Sequence, residues 1–181
     1  MINILTGPVH SGKTTFLKNS IPILREKNLG IDGYLSEATW ENKEFIGYDL
    51  VDLKENRHLP FIRKQGQQEW LRIGHFFFLP ETLDIAKIII RRSKKEGLCV
   101  VDEVGPLELK GKGVWPALED VLMIPEQDLL LVVREAILKD FIGKMQRDDI
   151  VVYDIEQNKT PLRMVESFMR NQEKSINSES K

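Results

Sequence analysis

The segment Thr6–Leu17 reads TGPVHSGKTTFL, and within it Gly7, Gly12, Lys13 and Thr14 fill the pattern G-x-x-x-x-G-K-[ST]. At ordinary residue frequencies this pattern arises by chance in roughly 1 in 100 chains of this length. Its setting narrows it further, because the apolar run INIL precedes it and a helical pattern follows; a phosphate-binding loop needs that context. Glycines let the backbone curl so that several amides point inward, and the helix N-terminus adds a partial positive charge. The nucleotide-binding set read from this stretch is Gly7, Pro8, Val9, His10, Ser11, Gly12, Lys13, Thr14 and Thr15. Lys13 is placed to neutralise the β/γ oxygens of a nucleoside triphosphate, the Thr14 hydroxyl to ligate Mg²⁺, and Thr15 to hydrogen-bond the α-phosphate.

Such a loop needs an acid that holds the metal from a neighbouring strand. The run LCVVDEVG supplies two, with Asp102 expected in the Mg²⁺ shell and Glu103 one residue further toward the γ-phosphate. A carboxylate there can orient an attacking water or accept its proton, so Lys13 and Glu103 are the expected catalytic pair and hydrolysis the expected outcome. The letters DEVG also match the D-x-x-G of regulatory GTPases, but the nearest counterpart of their guanine-selecting N-K-x-D reads NKTP, Asn158 to Pro161, and lacks the carboxylate. Arg134, at the end of the run DLLLVV, stands where it could meet transition-state charge or simply face solvent. Arg91 and Arg92, with Lys94 and Lys95 nearby, read as a solvated helix face. His10 sits at a variable loop position, and His58 and His75 have no partners at metal-ligand spacing.

The elements that must position these residues alternate. INIL, IDGYLSEATW, KEFIGYDLVDL, LCVV, DLLLVV and IVVYDI read as strands, the second and third joined as a hairpin. Helices are expected after Gly12, from Pro80 toward Gly97, around Trp115–Leu122, from Ala136 to Met145, and through Leu162, Val165, Phe168 and Met169. Pro22 inside the first predicts a kink or an early break. The stretch from Arg57 to Phe78 reads as irregular β structure on a sheet edge, and its Trp70 and its phenylalanines at 76 to 78 could present a partner surface. Alternation of this kind predicts an α/β fold, a mainly parallel sheet with helices on both faces and a β-hairpin insertion.

At 181 residues the chain suits one domain, expected over 1–171, with the polar stretch 172–181 as a disordered tail. No apolar run approaches the roughly 20 residues that cross a bilayer, and no signal-like segment opens the chain; a cytoplasmic monomer without membrane association is expected. A net charge of -2 offers no basic stripe for nucleic acid. The lone Cys99, within LCVV, reads as a small buried strand residue.

Together LTGPVHSGKTTFL, DGYLSEATWENKEFIGYDLVDL, RIGHFFF and VVDEVGPLEL resemble the small P-loop nucleoside-triphosphatases, the thermophile-type and cancer-related enzymes. The resemblance runs from about Ile2 to Val165. It implies a RecA-like fold and slow, Mg²⁺-dependent hydrolysis of ATP, GTP and other nucleoside triphosphates. Two positions depart from the pattern: Ala38 follows Glu37 where a second acid is usual, and Pro106 stands where a lysine is frequent. Two other functions use the same loop, a small-molecule kinase and a nucleotide-binding adaptor whose hydrolysis is incidental.

Overall fold

In the computed structural model, residues 1–93, 97–157 and 160–179 are described, with side chains as far as 171. The chain begins β1 (Ile2–Thr6), α1 (Lys13–Glu26), β2 (Ile31–Glu41), β3 (Glu44–Asp52), β4 (Arg57–Arg63), β5 (Arg72–Ile73), β6 (Phe76–Phe78) and α2 (Pro80–Arg92). It continues with β7 (Leu98–Val104), a short α3 (Pro106–Leu109), α4 (Trp115–Leu122), β8 (Asp128–Val133), a 3-10 turn, α5 (Leu138–Met145), β9 (Ile150–Asp154) and α6 (Pro161–Glu179). The polar stretch from Gln172 overlaps the last turns of α6, and its side chains lie outside the described residues, as do Lys94, Lys95, Asn158 and Lys159.

Among the described residues nine strands share one sheet in the order β5-β6-β4-β3-β2-β7-β8-β1-β9. The predicted mainly parallel sheet is instead mixed. β2–β7, β7–β8, β8–β1 and β1–β9 pair in parallel, whereas β2–β3, β3–β4, β4–β6 and β6–β5 pair antiparallel. The cause is the length of β2. Ile31–Tyr34 run beside β7, and Tyr34–Glu41 run on beside β3, so the hairpin and the irregular edge extend the central sheet rather than standing apart from it.

The central strands are buried almost without interruption, as a sheet covered on both faces requires, and successive side chains enter opposite cores. Ile2, Ile4, Cys99, Val101, Leu129 and Leu131 face a core closed by α2, α4 and α5. Leu5, Leu98, Val100, Leu130 and Val132 face the opposite core, closed by α1 and α6. Cys99 is buried, which pushes its thiol up to about 12 and leaves it the inert strand residue expected. α1 does not break at Pro22, contrary to expectation, but runs on to Glu26. Pro22 forfeits one backbone bond, yet Leu17, Ile21 and Leu24 stay buried on the sheet around it, and that packing outweighs the loss.

A second correction concerns Arg92. Arg91 faces outward to Asp120, as expected, but Arg92 turns inward. Its guanidinium donates to Asp32 at 2.6 Å, to Asp52 at 2.6 Å and to Glu55 at 3.2 Å. Asp32 and Asp52 are buried on β2 and at the end of β3, and two buried anions under a helix end require a cation. The hydrogen bonds to Asp32 and then Asp52 raise the Arg92 pKa, and Asp52, which burial alone would push up, is held below the usual carboxylate range by Arg92. Removing one partner strands the others, so Arg92→Met is expected to cost about 3–5 kcal/mol in urea unfolding. An equal cost for Arg91→Met would contradict the assignment.

Candidate active site

The loop between β1 and α1 is shaped by two glycines that the geometry requires. Gly12 caps α1 with φ +83°, a left-handed conformation that costs L side chains energy. Gly7 has φ +149°, and a Cβ there would meet the Ile155 side chain at 2.5 Å. Between them the Ser11 amide closes onto the Pro8 carbonyl at 3.2 Å. Lys13 folds over the loop and donates to the carbonyls of Gly7 at 3.0 Å and Pro8 at 2.6 Å. Burial lowers the lysine's pKa, while Glu103 and Asp102 oppose that shift, so the nearby carboxylates help keep its charge. The Ser11 hydroxyl oxygen is buried without a partner.

The two acids reach the loop because of strand order. β8 lies between β1 and β7, all three run parallel, and their C-terminal ends open on one side of the sheet. Val101 pairs with Leu131 and Val104 with Val133, so three steps on β7 oppose two on β8. This bulge re-aims the residues it contains, and they are Asp102 and Glu103. Asp102 is 1% exposed. Its Oδ2 accepts the Ser36 amide at 3.2 Å and its carboxylate accepts the Thr14 hydroxyl, yet Oδ1 has no partner. Burial pushes the Asp102 carboxyl up to about 7 against those two bonds.

Glu103 stands half in solvent and is gripped from the end of β8. Arg134 donates from Nε to Oε1 at 2.7 Å and from Nη2 to Oε2 at 3.2 Å, a bidentate fork. Sequence alone left Arg134 between solvent and the site; it faces the site.

A cleft of about 590 Å³ joins these parts. Val9, His10, Gly12, Lys13, Thr14 and Thr15 line it from the loop and α1, and Asp102, Glu103 and Arg134 line it from β7 and β8. Gly7, Pro8 and Ser11 are not on its wall; the first two give Lys13 its carbonyls. His10 is exposed in a left-handed conformation, and His58 and His75 are exposed away from the cleft. Sequence reasoning did not assign the opposite wall, which is Ser36, Glu37, Ala38 and Trp40 of β2 with Phe45 and Tyr48 of β3. Part of the signal was present in GYLSEATW, whose period of two sends Ser36, Ala38 and Trp40 to one face; Glu37, on the other face by that rule, joins the wall only in the folded cleft. Glu37 is bridged to Lys18 of α1 at 2.8 Å, which ties this wall to the loop side.

A sequence model described as NTPase matches residues 3–167. The chain belongs to the NTPase family. Within this family it is 31% identical over 132 residues to the cancer-related nucleoside-triphosphatase homolog of Bos taurus, covering 67% of this chain and 68% of that one. It is 29% identical over 119 residues to nucleoside-triphosphatase THEP1 of Saccharolobus solfataricus, covering 65% and 67%. Two solved NTPase structures share the fold. The human cancer-related nucleoside triphosphatase superposes with a TM-score of 0.71 at 21% identity, covering 92% of this chain and 94% of that one. THEP1 from Aquifex aeolicus gives 0.70 at 18%, covering 93% and 96%. Among the described residues no helix is long and apolar enough to cross a membrane.

The buried acid of this NTPase carries a pH signature. Asp102 titrates near pH 7 when folded and in the ordinary carboxylate range when unfolded, so its stabilising contribution is complete at low pH and lost as pH rises through about 7. Asp102→Asn cannot ionise. In the protein free of metal and nucleotide, its stability relative to the parent is expected to rise between about pH 4 and pH 7, by at most ~4 kcal/mol, and to level off above that, in thermal or urea unfolding. A difference that stays flat with pH would contradict the burial argument.

Proposed function

We propose that the chain hydrolyses nucleoside triphosphates to the diphosphate and phosphate in a Mg²⁺-dependent reaction within a RecA-like P-loop fold. Support for the fold comes from the strand order β9-β1-β8-β7-β2, in which β8 separates the loop strand from the acid strand. One observation carries the chemistry. A phosphate-type loop and two adjacent carboxylates of unlike environment, one buried and one half-exposed, open into a single cleft.

In this reading the amides at the start of α1 and Lys13 take the β- and γ-phosphate oxygens, with Gly7 to Ser11 forming the curled backbone. Leaving its loop carbonyls, the Lys13 ammonium exchanges two neutral acceptors for anionic ones, which favours the bound state. Thr15, exposed on the cleft wall, meets the α-phosphate. Thr14 and Asp102 would hold Mg²⁺, and the unpartnered Asp102 Oδ1 is the acceptor such a cation needs. A bound Mg²⁺ supplies charge neutralisation at the β/γ oxygens. Among the described residues no cluster of three or more His, Cys, Asp or Glu could hold a metal, in keeping with an ion that takes most of its ligands from substrate and water.

Glu103 orients the attacking water and receives its proton. Its carboxylate plane is fixed by the Arg134 fork, which leaves a lone pair on each oxygen directed away from the guanidinium. Arg134 itself lies on the cleft wall, where its charge faces the leaving phosphoryl group. The missing carboxylate of the guanine tetrapeptide argues against selection of guanine.

Phosphate release from several nucleoside triphosphates, measured with and without Mg²⁺, tests this reading. Glu103→Gln is expected to lower kcat by about 10²–10³-fold while nucleotide affinity holds. Lys13→Ala is expected to weaken binding of the triphosphate itself, read by calorimetry. Turnover unchanged in Glu103→Gln would remove the water-orienting role.

A further inference from the structure

Behind Glu103 lies a second, smaller cavity of about 110 Å³. Thr14, Ser36, Tyr48, Glu103 and Arg134 line both it and the larger cleft, so the two spaces meet at the catalytic carboxylate. Its far walls are aromatic, and Tyr34, Tyr48, Phe61, Phe76 and Phe78 are contributed by four different strands. They brace one another edge to face, with Tyr34–Phe61 at 5.8 Å, Phe61–Phe78 at 5.4 Å and Tyr48–Phe76 at 6.0 Å between centroids. Such contacts hold the walls apart as a rigid frame. The nearby Glu108 is already engaged by the amides of Gly105 and Val114, so the polar end of the chamber is the junction with the cleft, where Glu103 and Arg134 supply the charges and Thr14, Ser36 and Tyr48 stand beside them.

Hydrolysis alone gives this chamber no purpose, because a water molecule needs neither its width nor its aromatic lining. At about 110 Å³, against the ~150 Å³ of an engineered cavity that accepts benzene, the chamber has room for no more than one ring, whose substituent must reach into the cleft it opens on, and a nucleoside does not fit. Aromatic walls favour a planar apolar body, and the single polar end fixes which way its one polar group points.

We propose that this chamber binds a small planar alcohol as a phosphoryl acceptor, so that the same site transfers the γ-phosphoryl group to a hydroxyl in place of water. The inference rests on the reading above only in placing the terminal phosphate beside Glu103. The alcohol oxygen forms a bond to the γ-phosphorus as the bond from that phosphorus to the β,γ-bridging oxygen breaks. The diphosphate leaves with the bridging oxygen and its electron pair. The hydroxyl proton passes to the Glu103 carboxylate, and the products are a phosphate monoester and a nucleoside diphosphate.

Benzyl alcohol is the probe. The protein is incubated with Mg²⁺ and γ-labelled triphosphate, with and without millimolar benzyl alcohol, and benzyl phosphate is measured beside inorganic phosphate. The expected result is benzyl phosphate, with its ratio to inorganic phosphate falling at least about tenfold in Ile73→Trp, which fills the chamber from the edge strand β5. Phe76→Ala, which widens it, is expected to shift acceptance toward 2-naphthalenemethanol, a gain that misfolding cannot imitate. Absence of benzyl phosphate from the wild type, with or without inhibition of phosphate release, overturns the acceptor role. An unchanged product ratio in Ile73→Trp overturns the location. Failure of phosphate release in the absence of any alcohol strikes the hydrolytic reading instead, and leaves benzyl phosphate as the separate measure of this one.

Discussion

A carboxylate sealed from water with one oxygen unsatisfied is the constraint around which this molecule is arranged. Asp102 receives one amide from β2 and one hydroxyl from α1, and its remaining oxygen faces no donor. Left alone, such a group is a liability, since a buried unpaired acceptor costs about 1–3 kcal/mol and a buried charge costs more. A sheet selected only for stability would carry an apolar residue there, as the neighbouring Val100 and Val101 do. The cost makes sense if the native partner is a cation that arrives with substrate. Every element that touches the site, the loop after β1, the bulge in β7 and the amide of Ser36, is then a device for bringing that one oxygen to the cleft without exposing it.

The charge balance of the cleft points the same way. Lys13, Lys18 and Arg134 face Glu37, Asp102 and Glu103, three cations against three carboxylates, and the near-neutral result has no surplus with which to hold a triphosphate. In the proposed reading the extra positive charge would come from the first turn of α1 and from a bound metal. Lys13 spends its ammonium on loop carbonyls, and Arg134 spends its guanidinium on Glu103. Lys13 is held by neutral carbonyls, partners weaker than a phosphate, so it is positioned in advance and released at little cost, whereas Arg134 stays on its carboxylate.

The parts that follow local rules were legible in the chain. The loop is a contiguous motif, the acids end an apolar run, and each central strand and most helices announced themselves by burial period. What depended on pairing between distant segments was not. Nothing in IDGYLSEATW says that its first four residues join one neighbour in parallel and the rest another antiparallel, and that single strand turns the expected sheet into a mixed one. Arg92 looked like any basic residue near a helix end, because its buried partners Asp32 and Asp52 lie 60 and 40 positions away. Arg134 could not be assigned until β7 and β8 were set side by side. The aromatic chamber was visible only as an edge rich in phenylalanine, since its walls come from four strands and converge only when the sheet curls.

β2 links these halves mechanically. The residue whose amide holds Asp102 is Ser36, and the next residues along the same strand, Glu37, Ala38 and Trp40, form the wall of the cleft. Trp40 leans on Phe45, Phe45 on Phe76, and Phe76 on Tyr48, so the hairpin wall and the aromatic chamber are one packed unit. Beyond Tyr34 the strand pairs with β3 alone, so the Ser36 amide on Asp102 is what ties it to β7 on the other side. A change at Asp102 that lengthens or breaks the Ser36 bond therefore acts on the whole strand, and through it on the spacing between the loop and the wall. The departure at Ala38, where an acid would add a third negative charge beside Glu37 and Glu103, leaves that wall less anionic and closer in character to the aromatic surface behind it. The chain thus places an apolar enclosure, rather than another carboxylate, behind the β2–β3 wall of the cleft.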